Sequence, residues 1–387
     1  SIIDGVLREG HKMLIAGPSK AGKSFALIQL AIAMAEGGEW LGWRVKQGRC
    51  LYVNLELDTK SCQHRFWSIY QEIGTTPTQG NIDVWNLRGN ATSLDKLTPK
   101  LIRRAEKKGY QAVIIDPIYK VLTGDENSAA EMATFCNHFD RICLQLGVAT
   151  IYCHHHSKGT QGQKSSRDRS SGSGVFARDP DAIIDLIELV IDDERREKIV
   201  DAWKLIALTA ELDRVRPEWR DELSQDDAVV YRSVCDYAVN TKADVYWKAV
   251  RRVRESAEMA SGWRIESTLR EFATPPFHSV FFRYPVHESD TAGLLKDAKA
   301  EGEEAPQEKF KREAAKRNEQ AKEKAKSEIL DAIESVRTED GVTLRDVADY
   351  LNTDGDDLDD PEIWKTCQTK IRRRIKNTGK FYVKNNM

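Results

Sequence analysis

The chain has 387 residues, 40% hydrophobic and 31% charged, with a formal net charge of -2. That length is room for two or three domains at about 100–200 residues each, and the near-neutral balance excludes a globally basic nucleic-acid binder, so any such surface must be a local patch. No leader-like segment opens the chain, no apolar run approaches the ~20 residues of a membrane span, and seven scattered cysteines fit reduced thiols in a cytoplasmic protein.

The chain opens on Ser1 rather than Met, which leaves room for residues upstream. "HKMLIAG" (11–17) predicts a buried strand and "SFALIQLAIAMAEG" (24–37) a helix. "GRCLYVNLEL" (48–57) and "YQAVIIDPIY" (110–119) predict a second and a third strand. A helix follows over 130–147, then strands over "VATIYCHHH" (148–156) and "DAIIDLIELVI" (181–191). Strands separated by helices of this length predict an α/β fold, a mostly parallel sheet with helices on both faces. The runs are apolar throughout, as strands covered on both sides should be. Residues 192–260 read as a charged helical insertion, and 262–272 and 278–287 as two further strands around a Thr274-Pro275-Pro276 turn. These complete a core over 1–290. Residues 291–325 read as a charged helical linker. Over 326–387, "SEILDAIES", "TLRDVADYLN" and "DPEIWKTCQTKIRRRIKN" predict three helices and "GKFYVKNN" a terminal strand, which together resemble a winged-helix module.

Four stretches carry chemistry. "GPSKAGKS", Gly17, Pro18, Ser19, Lys20, Ala21, Gly22, Lys23 and Ser24, lies between a strand and a helix that begins near Phe25. Its glycines let backbone N–H groups converge on phosphate oxygens at a helix start; Lys23 would reach the outer phosphates and Ser24 would ligate Mg²⁺. "AVIIDP" places Asp116 at the carboxyl end of a buried strand, beside that loop, as an outer-sphere or direct Mg²⁺ partner; the bland alternative is a turn-initiating Asp before Pro117. "LYVNLEL" places Glu56 where a carboxylate could orient and deprotonate a hydrolytic water; the bland alternative is a surface carboxylate. In "YCHHHSKG" successive histidines alternate sides of a strand, so they cannot all face one zinc ion; one of them could sense the γ-phosphate. The loop after it, 157–174, is rich in Gly and Ser and carries Lys158, Lys164, Arg167 and Arg169, either as solvated charge or as a contact for backbone phosphates.

Together "GPSKAGKS", "LYVNLEL", "VIIDPIYK", "GDEN" and "HHHSKG" resemble the RepA-like hexameric helicases of plasmids and phages, within the RecA-like P-loop ATPases. The resemblance covers about 1–290 and implies ATP and Mg²⁺ as cofactors, a homo-oligomeric ring of six subunits and single-stranded DNA as partner. It implies Lys23, Ser24, Glu56 and Asp116 in the roles above, and His155 as the γ-phosphate sensor, with His154 its rival. Lys158 and Gly159 complete the family's "HHxxKG", and the resemblance tips Lys164, Arg167 and Arg169 toward DNA contact or toward the neighbour's site. It also implies an arginine reaching a neighbour's site: Arg270, with Arg264 and Arg283 as rivals. The last 62 residues lie outside it; Lys365, Lys370, Arg372, Arg373, Arg374, Lys376, Lys380 and Lys384, with no acid after Glu362, fit either DNA or a docked replication protein. The expected function is an ATP-driven motor on single-stranded DNA in replication of a mobile element. The alternatives are a helicase loader or regulator with the same core, and a small-molecule kinase, against which Glu56 and the lack of a lid domain argue.

Overall fold

The computed structural model describes residues 1–122, 124–125, 128–155, 178–224, 226, 229–303, 306–337, 342–352 and 358–378. They fall into two compact units, Ser1–Glu303 and Glu304–Met387.

In the first unit the apolar runs form β1 (Lys12–Gly17), β4 (Cys50–Asn54), β6 (Ala112–Asp116), β7 (Ala149–His155) and β8 (Ala182–Leu189). Every residue of β1, β4 and β6 is buried, which is why these segments carry no polar face. The strands are parallel and are joined by β5 (Ile82–Asn86) at one edge. Antiparallel β9 (Ser261–Leu269), β10 (His278–Arg283) and β11 (Val286–Ser289) extend the other edge, giving the order β11-β10-β9-β8-β1-β7-β6-β4-β5. This is the expected mostly parallel sheet with helices on both faces. The single strand predicted over 278–287 is two strands, because the chain turns at Tyr284-Pro285 and Pro285 has no N–H for a ladder.

Successive strand residues enter opposite cores. Met13, Ile15, Tyr52, Ile114 and Cys153 pack with α1 (Lys23–Glu36) and with Cys62, Ile69 and Tyr70 of α2 (Thr59–Ile73). Leu14, Ala16, Leu51 and Val113 pack with α3 (Leu94–Ala105) and α4 (Ala129–Leu146). A short hairpin, β2 (Gly38–Trp40) with β3 (Trp43–Val45), is tied to α1 by the Trp40 indole N–H, which donates to the Ala26 carbonyl at 2.7 Å. The expected insertion is α5 (Asp193–Val215), a 3₁₀ turn and α6 (Tyr231–Met259), with a small core of its own around Trp219, Leu208, Leu212 and Val234.

The second unit contains α7 (Pro306–Ser335), α8 (Leu344–Leu351) and α9 (Pro361–Thr378) around Ile329, Ala332, Val347, Leu358, Ile371 and Ile375. "SEILDAIES" is the last stretch of α7 rather than a separate helix. The terminal strand expected over 379–386 lies outside the described residues.

Candidate functional site

The phosphate loop follows β1 and ends in α1. Gly22, its last residue, has φ 72°, and Lys20 has φ 70°, a conformation that costs a non-glycine residue roughly 1 kcal/mol and marks functional turns. Among the described residues no side chain caps the N-terminus of α1. Its first-turn N–H groups lack intrahelical partners, as at any helix start, and would suit an anion. The Lys23 ammonium folds back over the loop, donating to the carbonyls of Gly17 and Pro18 at 2.8 Å each and to His155 Nδ1 at 3.3 Å. Burial pulls its pKa down, while Cys153, Asp116 and Glu56 pull the other way.

The β1–β7 register places Gly17 beside His155, so the histidine pair ends at the loop. His155 lies against Lys23 and, with ring centroids 5.9 Å apart, against Tyr119. The His154 ring is buried, and burial, with His155 and Lys23 adding to it, pushes its pKa down to about 4. Among the described residues no group of three His, Cys, Asp or Glu is placed to hold a metal ion.

Asp116 ends β6 next to β4, in register with Asn54. It is 4% exposed, accepting from the Tyr52 hydroxyl at 2.5 Å and from the Cys153 thiol at 3.0 Å. Glu56 stands just beyond β4 in a turn built by Asn54. The Asn54 Oδ1 accepts from the amides of Glu56 and Leu57 at 3.3 and 2.9 Å, and its Nδ2 donates to the Leu57 carbonyl at 2.7 Å. Glu56 is exposed, and its Oε1 accepts from the Tyr119 hydroxyl at 3.2 Å. Lys23, Asp116, His155 and Glu56 thus converge at the carboxyl ends of β1, β6, β7 and β4, where open α/β sheets bind ligands.

Phe25, one residue past Ser24, meets the β10–β11 hairpin: its ring lies 5.5 Å from Phe282 and 5.4 Å from Tyr284, with the Arg65 guanidinium 4.6 Å above it. The hairpin is pinned to α1 by Gln29, whose Oε1 accepts from the His287 amide at 2.8 Å and whose Nε2 donates to the His287 carbonyl at 3.1 Å. The His287 ring lies 3.2 Å from the Ala21 carbonyl, and burial pushes its pKa down to about 4.

The three candidate arginines are dispersed. Arg270 follows Leu269, which pairs with the first residue of β8, so it sits at the end of the sheet opposite the phosphate loop. It donates to Asp181 at 2.9 Å and to the Arg178 carbonyl at 2.6 Å. Arg264 is buried between Glu303 and Glu266, at 2.6 and 2.9 Å. Arg283 lies at the phosphate-loop end, paired with Glu288 and, at 2.8 Å, with Glu72. Lys158, Lys164, Arg167 and Arg169 lie outside the described residues, as do Lys380 and Lys384. On α9, Lys365, Lys370, Arg372 and Arg373 are exposed, and Arg374 approaches Glu328 at 3.9 Å.

A nucleotide with Mg²⁺ fits these residues. The Gly22 corner leaves no room for a Cβ, which would lie 2.8 Å from the His287 ring, so the loop is packed tightly against the β10–β11 hairpin. Lys23 offers a cation, and Ser24 with Asp116 offers the hard oxygens Mg²⁺ takes. Sequence reasoning missed Tyr52, Cys153, Asn54, Tyr119 and the Gln29–His287 pair. Only Asn54, a polar residue inside an apolar run, carried a visible signal.

Residues 1–161, from the phosphate loop through Glu56 and Asp116 to the histidine pair, match the AAA_25 family, described as an AAA domain. The chain is similar to a solved ATPase domain, with 14% identity over 73% of this chain and 86% of that one and a TM-score of 0.43. It is also similar to a KaiC-like protein, PH0186, from the archaeon Pyrococcus horikoshii OT3, with 17% identity over 50% of this chain and 77% of that one and a TM-score of 0.34.

Proposed function

We propose that the chain is an ATP-hydrolysing motor that acts on single-stranded DNA as a ring of like subunits, in the manner of a replicative helicase of a mobile element. The observation that carries the reading is the meeting of Lys23, His155, Asp116 and Glu56 at one end of the sheet, beside a helix start that no described side chain caps. A kinase needs no carboxylate for water, and the exposed Glu56 at this end of the sheet could serve as one.

Hydrolysis would run by positioning and charge stabilisation. Lys23 would exchange its two loop carbonyls for phosphate oxygens, and Ser24 and Asp116 would hold Mg²⁺. Mg²⁺ held there would supply charge neutralisation at the phosphates. Glu56, held by the Asn54 turn and by Tyr119, takes the proton of the attacking water. His155, between Lys23 and Tyr119, registers whether the γ-phosphate is present. A neighbouring subunit would complete the site with an arginine; Arg270 and Arg283 are better suited than Arg264, which two carboxylates hold in a buried position. Lys158, Lys164, Arg167 and Arg169 would meet the DNA backbone, and the exposed basic residues of α9 a second stretch of DNA or a protein.

The test is mass by light scattering with a non-hydrolysable ATP analogue and single-stranded DNA, alongside ATP turnover with and without that DNA. A hexamer whose turnover rises with DNA is expected. Glu56→Gln should lower turnover about 10²–10⁴-fold while still binding ATP, and Lys23→Ala should lose both. A monomer or dimer indifferent to DNA would overturn the motor and leave an ATPase that loads or regulates another.

A further inference from the structure

Asp116 is held from both sides. β4 supplies Tyr52 and β7 supplies Cys153, the strands that flank β6 in the sheet. Each donates to a different carboxylate oxygen, Tyr52 to Oδ2 at 2.5 Å and Cys153 to Oδ1 at 3.0 Å. An ionised carboxyl has about two acceptor sites on each oxygen, so this arrangement fixes the plane of the group and, among the described residues, leaves a site free on each oxygen. Tyr52 and Cys153 are each only 1% exposed. Phe would fill nearly the same space as Tyr52 without the cost of burying a hydroxyl, so packing alone does not call for that donor. Burial, with Asp116 adding to it, pushes both groups well above their ordinary pKa, which keeps them protonated and able to donate. The Tyr52 ring is itself fixed, edge-on to Phe66 at 5.3 Å.

We infer that Tyr52 and Cys153 are positioning residues for Asp116, setting the affinity of the nucleotide site for Mg²⁺ through the orientation of that carboxylate. The inference rests on the reading of Asp116 as the carboxylate on the Mg²⁺ side. Partners that orient a metal-side carboxylate typically govern about 10–100-fold in metal affinity. Both residues are buried, so their loss should show in the metal dependence and not in the grip on phosphate, which belongs to Lys23 and the loop.

The experiment is binding of a fluorescent ATP analogue to the full chain, titrated with Mg²⁺ and repeated in EDTA. It compares wild type with Tyr52→Phe, Cys153→Ala, Cys153→Ser and Asp116→Asn. Tyr52→Phe and Cys153→Ala should each raise the half-saturating Mg²⁺ concentration about tenfold, with the affinity in EDTA unchanged. Cys153→Ser keeps a donor and should recover most of the shift. If Asp116→Asn moves the Mg²⁺ midpoint but Tyr52→Phe and Cys153→Ala do not, the inference falls and the role of Asp116 stands. If Asp116→Asn leaves it unmoved as well, both fall. Should Cys153→Ala fail to fold, Tyr52→Phe, which deletes one oxygen from an otherwise unchanged ring, decides the matter alone.

Discussion

Gly22 brings backbone and packing demands to one residue of the phosphate loop. Its φ of 72° suits glycine, and a Cβ there would stand 2.8 Å from His287 Cε1 and 3.0 Å from Phe282. The His287 ring cannot swing aside cheaply, because it is buried and its two nitrogens lie 3.2 Å from Gln29 Oε1 and 3.2 Å from the Ala21 carbonyl. Gly10, at φ 79° with no described atom within 4 Å of its would-be Cβ, carries the backbone strain without the crowding. Gly10→Ala should therefore cost about 1 kcal/mol, whereas Gly22→Ala should add an overpacking cost of about 1–3 kcal/mol and weaken ATP binding. Thermal unfolding of both variants, with nucleotide titrations, separates the two terms. Equal losses of stability would mean that the hairpin does not press on the loop.

At the scale of elements the β10–β11 hairpin is the buttress of that loop, and its buried histidine makes the joint sensitive to acid. In an unfolded chain an imidazole takes up a proton near pH 6.5, but in the fold His287 and His154 do so only at about 4. Between those values the unfolded chain binds more protons, so stability is full above about pH 6.5 and is lost as pH falls toward 4. Each histidine is worth up to about 3 kcal/mol across that window. The midpoint of denaturant unfolding, followed from pH 7.5 to pH 5, should fall, and His287→Gln should fall less steeply; an equal slope in the variant would remove His287 from the effect. None of this joint was legible in the sequence, since Gln29 and His287 are 258 residues apart and nothing local pairs them. The central strands were legible because burial on both faces writes an unbroken apolar run. β5 was not: its sequence, IDVWN, is half-buried at the sheet edge and mixes polar with apolar residues. α2 likewise buries only Cys62, Ile69 and Tyr70, too few for a stripe. In the site, Glu56 and Asp116 were candidates because each is a polar residue at the end of an apolar run, Lys23 because of the spacing of its glycine loop, and His155, with His154 its rival, through the resemblance. Tyr52 and Cys153 were not, because a buried Tyr or Cys in such a run looks like any other core residue.

For the whole molecule, the division between the units falls at Glu303, thirteen residues beyond the end of the core expected from the sequence. The extra segment belongs to the first unit by its contacts. Leu295 and Ala300 are buried beside Ile187, Leu189, Ile199 and Phe281, and the Val190 amide donates to the Lys299 carbonyl at 2.9 Å. Glu303 closes the segment, accepting from the Ala300 amide at 3.0 Å and pairing with Arg264 at 2.6 Å. A chain cut after residue 290 would strip Leu295 from this cluster, worth roughly 2–3 kcal/mol, and leave the buried Arg264 with Glu266 as its remaining carboxylate, at a cost on the order of 3 kcal/mol. A chain cut after Glu303 would lose neither. The fragment 1–303 should therefore unfold in denaturant at the midpoint of the first unit in the full chain and keep its affinity for ATP. The fragment 1–290 should unfold at a clearly lower midpoint, and Glu303→Gln in the longer fragment should reproduce part of that loss. Equal midpoints for the two fragments would show that residues 291–303 contribute nothing to the core and that the unit ends where the apolar pattern of the sequence does.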